Sequence, residues 1–452
     1  MNIRQMFATL LETNEKKENV LSLLHEMEET VSSSFKYLLR LSSAGGLGET
    51  ICTEQANVDW HSLLQLAFEQ SVFPVTAYAI LQDPEIMPDT EVQQDLLEQI
   101  RYSSYRNILR RQRIMGLLRE MEEHGIQAVL LKGYEVAQCY QMPECRESAD
   151  TDVLVPKECE RAAHDFLKEK GFTLEPRGKA GHHSVGQHKK YGMVELHVNL
   201  YDEIIQEVWF QGMRDEDFIL ESLRREKTKE ESYLTLGCTD HLLFLMLHMV
   251  KHFIISGTSL GMMLDTALFF RKHRAKIDTD RIWKILDTLN YRIFVSAVLQ
   301  AFVQYGLFSQ SGFPGMEKIP TDLVDRILWD VEQGGRMGVR EKAERIDCSF
   351  EYNRRVMRKE MGFLQYICYM LVWRTKKGIK YMFPSKEMLE ILHPVIKGKP
   401  ELTLWFRLYQ LFVFPFVQIT TGFLKKEIRT NHTSISEISR KRIELFSDVR
   451  MI

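Results

Sequence analysis

The sequence predicts an α+β fold in which a small mixed-sheet core sits between two helical regions. Three observations predict it. Apolar residues recur at three- and four-residue spacing through the first hundred residues and again from Thr239 onward, the period of helices buried on one face. Between those regions the period shortens to two, as in Val194, Leu196 and Val198 alternating with Glu195 and His197. Gly125, Pro156 and Gly171 then stand where helices of this middle region must stop or start. The expected divisions are 1–100, a helical region; 101–236, an α/β core with its leading helix; and 237–452, a second helical region.

In chain order, the spacing predicts helices over residues 3–11, 20–41 and 59–81, with Gly45-Gly46-Leu-Gly48 and Asp83-Pro84 as punctuation. A long helix follows over residues 90–124, basic at Arg106, Arg110, Arg111 and Arg113, with Gly125 at its C′ position. A solvated face is the default for those arginines, and a contact with phosphate, nucleic acid or an acidic partner is the alternative. Residues 126–131 and 152–155 read as strands, with a short helix over 134–141 between them. A helix over 157–170 comes next, then strands at 172–175, 189–193 and 194–200. His182, His183 and His188 flank Ser184-Val-Gly-Gln, which reads as a loop; its histidines read as solvated or as part of a substrate loop, with a metal trap as the weaker alternative. Further helices are expected at 240–254, 260–274, 279–289, 292–305, 322–332, 352–376 and 402–426, with no fixed-period repeat.

Composition narrows the function. The 59 Lys+Arg against 62 Asp+Glu leave a formal charge of -3, which gives no strong nucleic-acid signal. Seven scattered cysteines without a CxxC pair argue for a reducing compartment, and the N-terminus lacks a signal-peptide pattern, so a cytoplasmic protein is expected. Cys139, Cys145 and Cys159 carry no nucleophile motif and read as inert thiols. The aromatic stretch 402–417 is interrupted by Arg407, Gln410 and Pro415, so it reads as a buried helix pair; a peripheral membrane contact is the weaker alternative. The basic run Trp373 to Lys380 is open between a solvated face and an anion contact.

The chemistry concentrates in the middle. Asp150 and Asp152 are two residues apart, so on a strand both point to one face and can share a divalent ion, with Glu195 as third ligand. Mg²⁺ needs only a few carboxylates plus phosphate oxygens and water, so three acids suffice for Mg²⁺ or Mn²⁺. Lys132-Gly133 follows the first strand, where glycine permits close approach of a phosphate and Lys132 adds a point charge. Arg146 offers a fork for phosphate oxygens, or an ion pair with Asp150 in a surface network. His197 is expected to orient Glu195 rather than bind metal. His248 and His252 share a helix face one turn apart, and with Asp265 they are placed on the acceptor side or as packing support.

Leu130-Leu-Lys-Gly133, Arg146-Glu-Ser-Ala-Asp-Thr-Asp-Val-Leu-Val155 and Val194-Glu-Leu-His197, in that order, resemble the polymerase-β-like nucleotidyltransferase superfamily. Within it they resemble a bacterial family of uncharacterised nucleotidyltransferases. The likeness continues at His248, His252, Asp265 and Phe383-Pro-Ser-Lys386. It implies a nucleotidyltransferase core with two acids on one strand, a third on a neighbour, and NTP with Mg²⁺ as the donor complex. One departure stands out: Gly133-Tyr134 replaces the usual glycine-serine pair.

The expected activity is therefore transfer of an NMP group from an NTP to an unidentified acceptor, whether small molecule, polysaccharide precursor or protein, with release of pyrophosphate. The competing expectation is a silent nucleotide- or partner-binding module of the same fold, antitoxin-like or accessory to a biosynthetic cluster. Metal-dependent phosphohydrolysis through His248, His252 and Asp265 ranks below both.

Overall fold

Alternation in the middle third builds a seven-stranded sheet in the computed structural model. Its strands are β1 (Val129–Leu130), β2 (Asp150–Leu154), β3 (Thr173–Glu175), β4 (His183–His188), β5 (Gly192–His197), β6 (Arg224–Lys227) and β7 (Ser232–Thr235), in the order β3-β4-β5-β2-β1-β7-β6. β2 runs parallel to β5, and β1 parallel to β7; the other neighbours are antiparallel. The described residues are 31–51, 58–86, 88–148, 150–175, 182–202, 205–213, 224–227, 232–334, 352, 356, 441–442 and 444–451. The chain divides into two compact units, residues 1–345 with 445–452 and residues 346–444, and the sheet and helices below belong to the first. The helices expected at 3–11, 352–376 and 402–426, the basic run Trp373 to Lys380 and Phe383-Pro-Ser-Lys386 lie outside the described residues, apart from Tyr352 and Val356.

The histidine-flanked segment read as a loop is strand β4. It forms a hairpin with β5 through a turn that Gly192 closes at φ 77° and His188 Nδ1 caps by accepting the Lys190 amide at 2.9 Å. The strand escaped the pattern because Gly186 interrupts it. A Cβ there would meet Leu174 Cδ2 at 3.0 Å and Phe172 Cδ1 at 3.2 Å, so any larger residue must push those side chains aside. A single strand pair at 189–193 and 194–200 is thus replaced by β4 and β5, and β6 and β7 complete the sheet beyond it.

One sheet face is apolar. Val153, Val194 and Leu196 lie there against Ile114, Leu117, Leu118 and Met121 of the long helix and Phe166 and Leu167 of a shorter one. In chain order the helices are α1 (Ser33–Leu47), α2 (Trp60–Glu69), α3 (Phe73–Gln82), α4 (Thr90–Glu123), α5 (Tyr134–Ala137), α6 (Glu160–Glu169), α7 (Cys238–Ile255), α8 (Leu260–His273), α9 (Thr279–Thr288), α10 (Arg292–Gln304) and α11 (Thr321–Gly334). α4 starts at the N-cap Asp89, whose side chain accepts the Val92 amide, and ends before Gly125 at φ 74°.

Three helical expectations are corrected. Residues 59–81 form two helices, because the chain reverses at Ser71 with φ 57° before Pro74 opens α3. Gly45 and Gly46 do not punctuate but lie buried inside α1. A Cβ on Gly45 would sit 2.0 Å from the Val75 carbonyl oxygen of α3, and one on Gly46 would sit 2.9 Å from Leu268 of α8. They are glycines so that helices can touch, and only Gly48, at φ 72°, ends α1. α5 has four residues, shorter than the 134–141 helix expected. α7 is long and apolar enough to cross a membrane by length and composition, yet 78% of it is buried within the protein, as a core helix is.

The helices before and after the sheet pack together. Gln70 donates to the Val331 carbonyl at 2.9 Å and accepts the Leu260 amide at 2.9 Å. Lys36 pairs with Asp325 at 2.9 Å, and Ser32 donates to Glu332.

Candidate active site

Parallel pairing of β2 with β5 sets the site. Asp152 lies in register with Glu195, Asp150 with Met193, and Leu154 with His197, so the acids and His197 share the face opposite the apolar core. β4 adds His183, in register with His197. The oxygens of Asp152 and Glu195 and a nitrogen of His197 lie within 4.8 Å of one another, close enough to share one ion. A nitrogen from each of His182, His183 and His197 satisfies the same test. Asp150 belongs to neither group, although its strand position puts it one step along from Asp152 on the same face.

His197 does more than orient Glu195. Its Nε2 is 3.1 Å from Asp152 Oδ1 and 3.6 Å from Glu195 Oε2, and its Nδ1 is buried without a hydrogen-bond partner among the described residues. Burial would lower its pKa, but the hydrogen bonds to Asp152 and Glu195 outweigh that and raise it above the ordinary histidine value. Lys132, two residues past the end of β1, reaches Asp152 Oδ2 at 3.2 Å and His248 Nε2 at 3.2 Å. Burial pushes the Asp152 carboxyl up, yet Lys132 and the bond from His197 hold it well below the usual carboxylate range. Glu195 is likewise lowered against burial by His197. Asp150 goes the other way: burial, with Asp152 and Glu195 adding to it, raises its pKa despite Lys132.

The second wall is helical. A cavity of about 120 Å³ is lined by Lys132 and Asp150 on one side and by His248, His252, Met262 and Asp265 of α7 and α8 on the other. His248 is kept neutral by burial and by Lys132, and burial with Lys251 pushes His252 down to about 3. Lys251, one residue before His252, was not singled out by the sequence. Among the described residues no hydrogen bond or ion pair holds it, and burial together with Lys132 lowers its pKa. A lone lysine in an apolar helix carries no pattern, and only the fold brings it to the acids.

Arg146 holds a carboxylate, that of Asp265 rather than Asp150. It forms a fork with Asp265, Nε to Oδ1 at 2.9 Å and Nη2 to Oδ2 at 2.7 Å, while the Tyr140 hydroxyl donates to Oδ1 at 2.7 Å. Asp150 is not its hydrogen-bond partner among the described residues: Arg146 ties the segment before β2 to α8. The basic residues of α4 are not a plain solvated face either. Asn107 donates to the Glu144 and Arg146 carbonyls, Arg110 to the Ser148 carbonyl and Thr151 Oγ1, and Arg113 to the Lys190 carbonyl. α4 thereby holds the segment that presents Asp150 and Asp152.

Gly133 has φ 76°, a conformation that favours glycine, and a Cβ there would meet nothing, so the backbone beside Lys132 is open to a ligand. Tyr134, at the place of the usual serine, instead packs edge-on against Tyr233 with Arg111 over its ring. Cys139 is buried and its thiol is pushed up to about 12, as an inert thiol's is.

A family model described as uncharacterised nucleotidyltransferase matches residues 56–305, more than half of the chain and the span that holds every one of these site residues. No curated protein and no solved structure matches it.

Proposed function

We propose, for a chain that belongs to the family of uncharacterised nucleotidyltransferases, that the β2–β5 face transfers an NMP group from an NTP to an acceptor, with pyrophosphate released. The observation that carries this reading is Asp152 opposite Glu195 on parallel strands, with Asp150 on the same face and Lys132 beside them, Asp150 and Lys132 lining a cavity walled by α7 and α8. Asp150, Asp152 and Glu195 would hold Mg²⁺ or Mn²⁺, and the all-oxygen donor set suits a hard cation. When bound, such an ion neutralises phosphate charge and stabilises the pyrophosphate leaving group.

The chain's own residues supply the rest. Lys132 and Lys251 offer positive charge to the phosphates, and the neutral His248 and His252 can each donate one N–H. The acceptor oxygen or nitrogen bonds to the α-phosphorus as the bond to the pyrophosphate oxygen breaks, and the acceptor's proton goes to a carboxylate. Asp150 suits that role better than Glu195, because its pKa is raised while that of Glu195 is lowered. The acceptor enters from the α7–α8 side, where the cavity lies.

The test is incubation with each α-labelled NTP and Mg²⁺ or Mn²⁺, followed by mass analysis of the protein and of added small-molecule, polysaccharide-precursor and protein acceptors. Label transfer lost in Asp152→Asn supports the reading. NTP binding without transfer under every condition would establish the silent nucleotide-binding module, the reading that Tyr134 in place of serine favours.

A further inference from the structure

Beside the carboxylates lies a second donor set of different chemistry. His182 at the entry to β4, His183 within it and His197 of β5 bring one ring nitrogen each within 4.8 Å of the others. The rings are close: centroids are 4.3 Å apart for His182 and His183, 5.2 Å for His182 and His197, and 5.1 Å for His183 and His197. Two of the three are oriented by carboxylates. His182 Nδ1 is 2.8 Å from Asp202 Oδ1, and His197 Nε2 is 3.1 Å from Asp152 Oδ1. An imidazole that donates one N–H to a carboxylate is left with a lone pair on its other nitrogen, the arrangement that fixes histidine ligands around metals.

What remains uncapped fits that reading. Among the described residues His197 Nδ1 is a buried nitrogen with no hydrogen-bond partner, in a residue that is 3% exposed. His182 Nε2 and His183 Nδ1 are 3.0 Å apart, near the ~3.3 Å that separates two ligands of a tetrahedral ion at about 2.0–2.1 Å. His183 Nε2 lies 3.8 Å from Glu195 Oε2, which puts a carboxylate at the rim of the cluster. Three converging imidazoles suit a borderline transition ion, whereas Mg²⁺ prefers oxygen.

We propose that His182, His183 and His197 form a distinct metal site for a borderline divalent ion of the Zn²⁺ or Co²⁺ class, oriented by Asp202 and Asp152 and adjoining the carboxylate face. It does not depend on nucleotide transfer, because its evidence is the donor geometry alone.

The probe is Co²⁺, added to the full chain after chelator treatment, with no histidine tag and no nucleotide present. One equivalent should bind with the visible absorption of a tetrahedral nitrogen-ligated ion, and a hundredfold excess of Mg²⁺ should not displace it. His182→Ala and His183→Ala should weaken binding at least tenfold. Asp202→Asn should weaken it about tenfold, as loss of an orienting carboxylate does, while Asp150→Asn stays within twofold of the parent. His183→Gln, checked by circular dichroism, replaces His182→Ala if that variant does not fold. Wild-type affinity in folded His183 variants, with loss in Asp150→Asn, would assign the ion to the carboxylates and overturn the site. Failure of the parent chain to bind Co²⁺ would overturn it as well. A hydrogen bond between His182 and His183 would then be the whole content of their approach.

Discussion

Asp150 and Asp152 stand two residues apart on one strand face, yet their surroundings push them in opposite directions. Asp152 is buried against Lys132 and His197, so replacing it leaves both partners short of a carboxylate. Asp150 is buried and, beyond that, crowded by Asp152 and Glu195, so its charge costs stability. In metal-free buffer, Asp152→Asn is expected to lower unfolding stability by roughly 1–3 kcal/mol, the cost of leaving a buried group unsatisfied, and Asp150→Asn to leave it within about 0.5 kcal/mol or raise it slightly. Urea denaturation of both variants decides, and equal losses would refute the asymmetry. A pH test belongs to His252. Unfolded, this histidine takes its proton near 6.5, whereas burial holds the folded one down to about 3, so between those values the unfolded chain binds more protons. Stability present above pH 6.5 is therefore lost as pH falls toward 3, and His252→Gln should flatten the decline of Tm between pH 6.5 and 4. The acids were legible because period two fixes their face; Lys251 was not, because a single cation on an apolar helix gives no pattern until α7 is docked against the sheet.

The segment between β1 and β2 works as one element, held from both sides. α4 grips its backbone through Asn107 and Arg110, and Arg146 ties it to α8 through Asp265. Arg146 and Asp265 are 9% and 13% exposed at the side chain, so removing either leaves a largely buried charge. Arg146→Ala and Asp265→Ala should each cost about 3 kcal/mol, and the double variant clearly less than their sum, as contacting residues do. NTP affinity in Arg146→Ala should fall through loosening of Asp150, so Asp265→Ala should lower it by a similar factor. A loss in Arg146→Ala alone would return that residue to the phosphates. A similar logic governs α1, where Gly45→Ala should destabilise by about 1–3 kcal/mol or more, because the new methyl meets a carbonyl of α3 rather than a yielding side chain. Element type was readable wherever one period ran unbroken, as in α4 and α7. It failed at β4, where Gly186 and a run of polar residues hid the alternation, and at Gly45-Gly46, where glycine marks close approach and not a turn.

At the scale of the molecule, sequence order suggests a helical region, a core and a second helical region in series, but the helices on either side of the sheet are interleaved. α1 rests on α8 through Gly46 and Leu268, and a Cβ on Gly306, just past α10, would meet Ser43 of α1 at 2.7 Å. Gln70 accepts the Leu260 amide at the start of α8 and donates to α11 at Val331. Those partners are separated by 190 and 261 residues, and no local period encodes such pairings. The consequence reaches the site, because α8 carries Asp265 and lines the cavity that faces Asp150. Phe35, Leu38 and Leu39 of α1 are each 0% exposed, so cutting the chain at residue 101 uncovers apolar surface on α8 and α10 that water must then meet. A chain of residues 101–452 should therefore lack the cooperative urea transition of the full chain and bind a hydrophobic dye, as loosely packed states do. NTP affinity should be lost with it, although every acid of the site is retained. A truncated chain that unfolds with the full chain's midpoint and slope would show that the first hundred residues are an appendage, and that α7 and α8 need no support from α1 to wall the cavity.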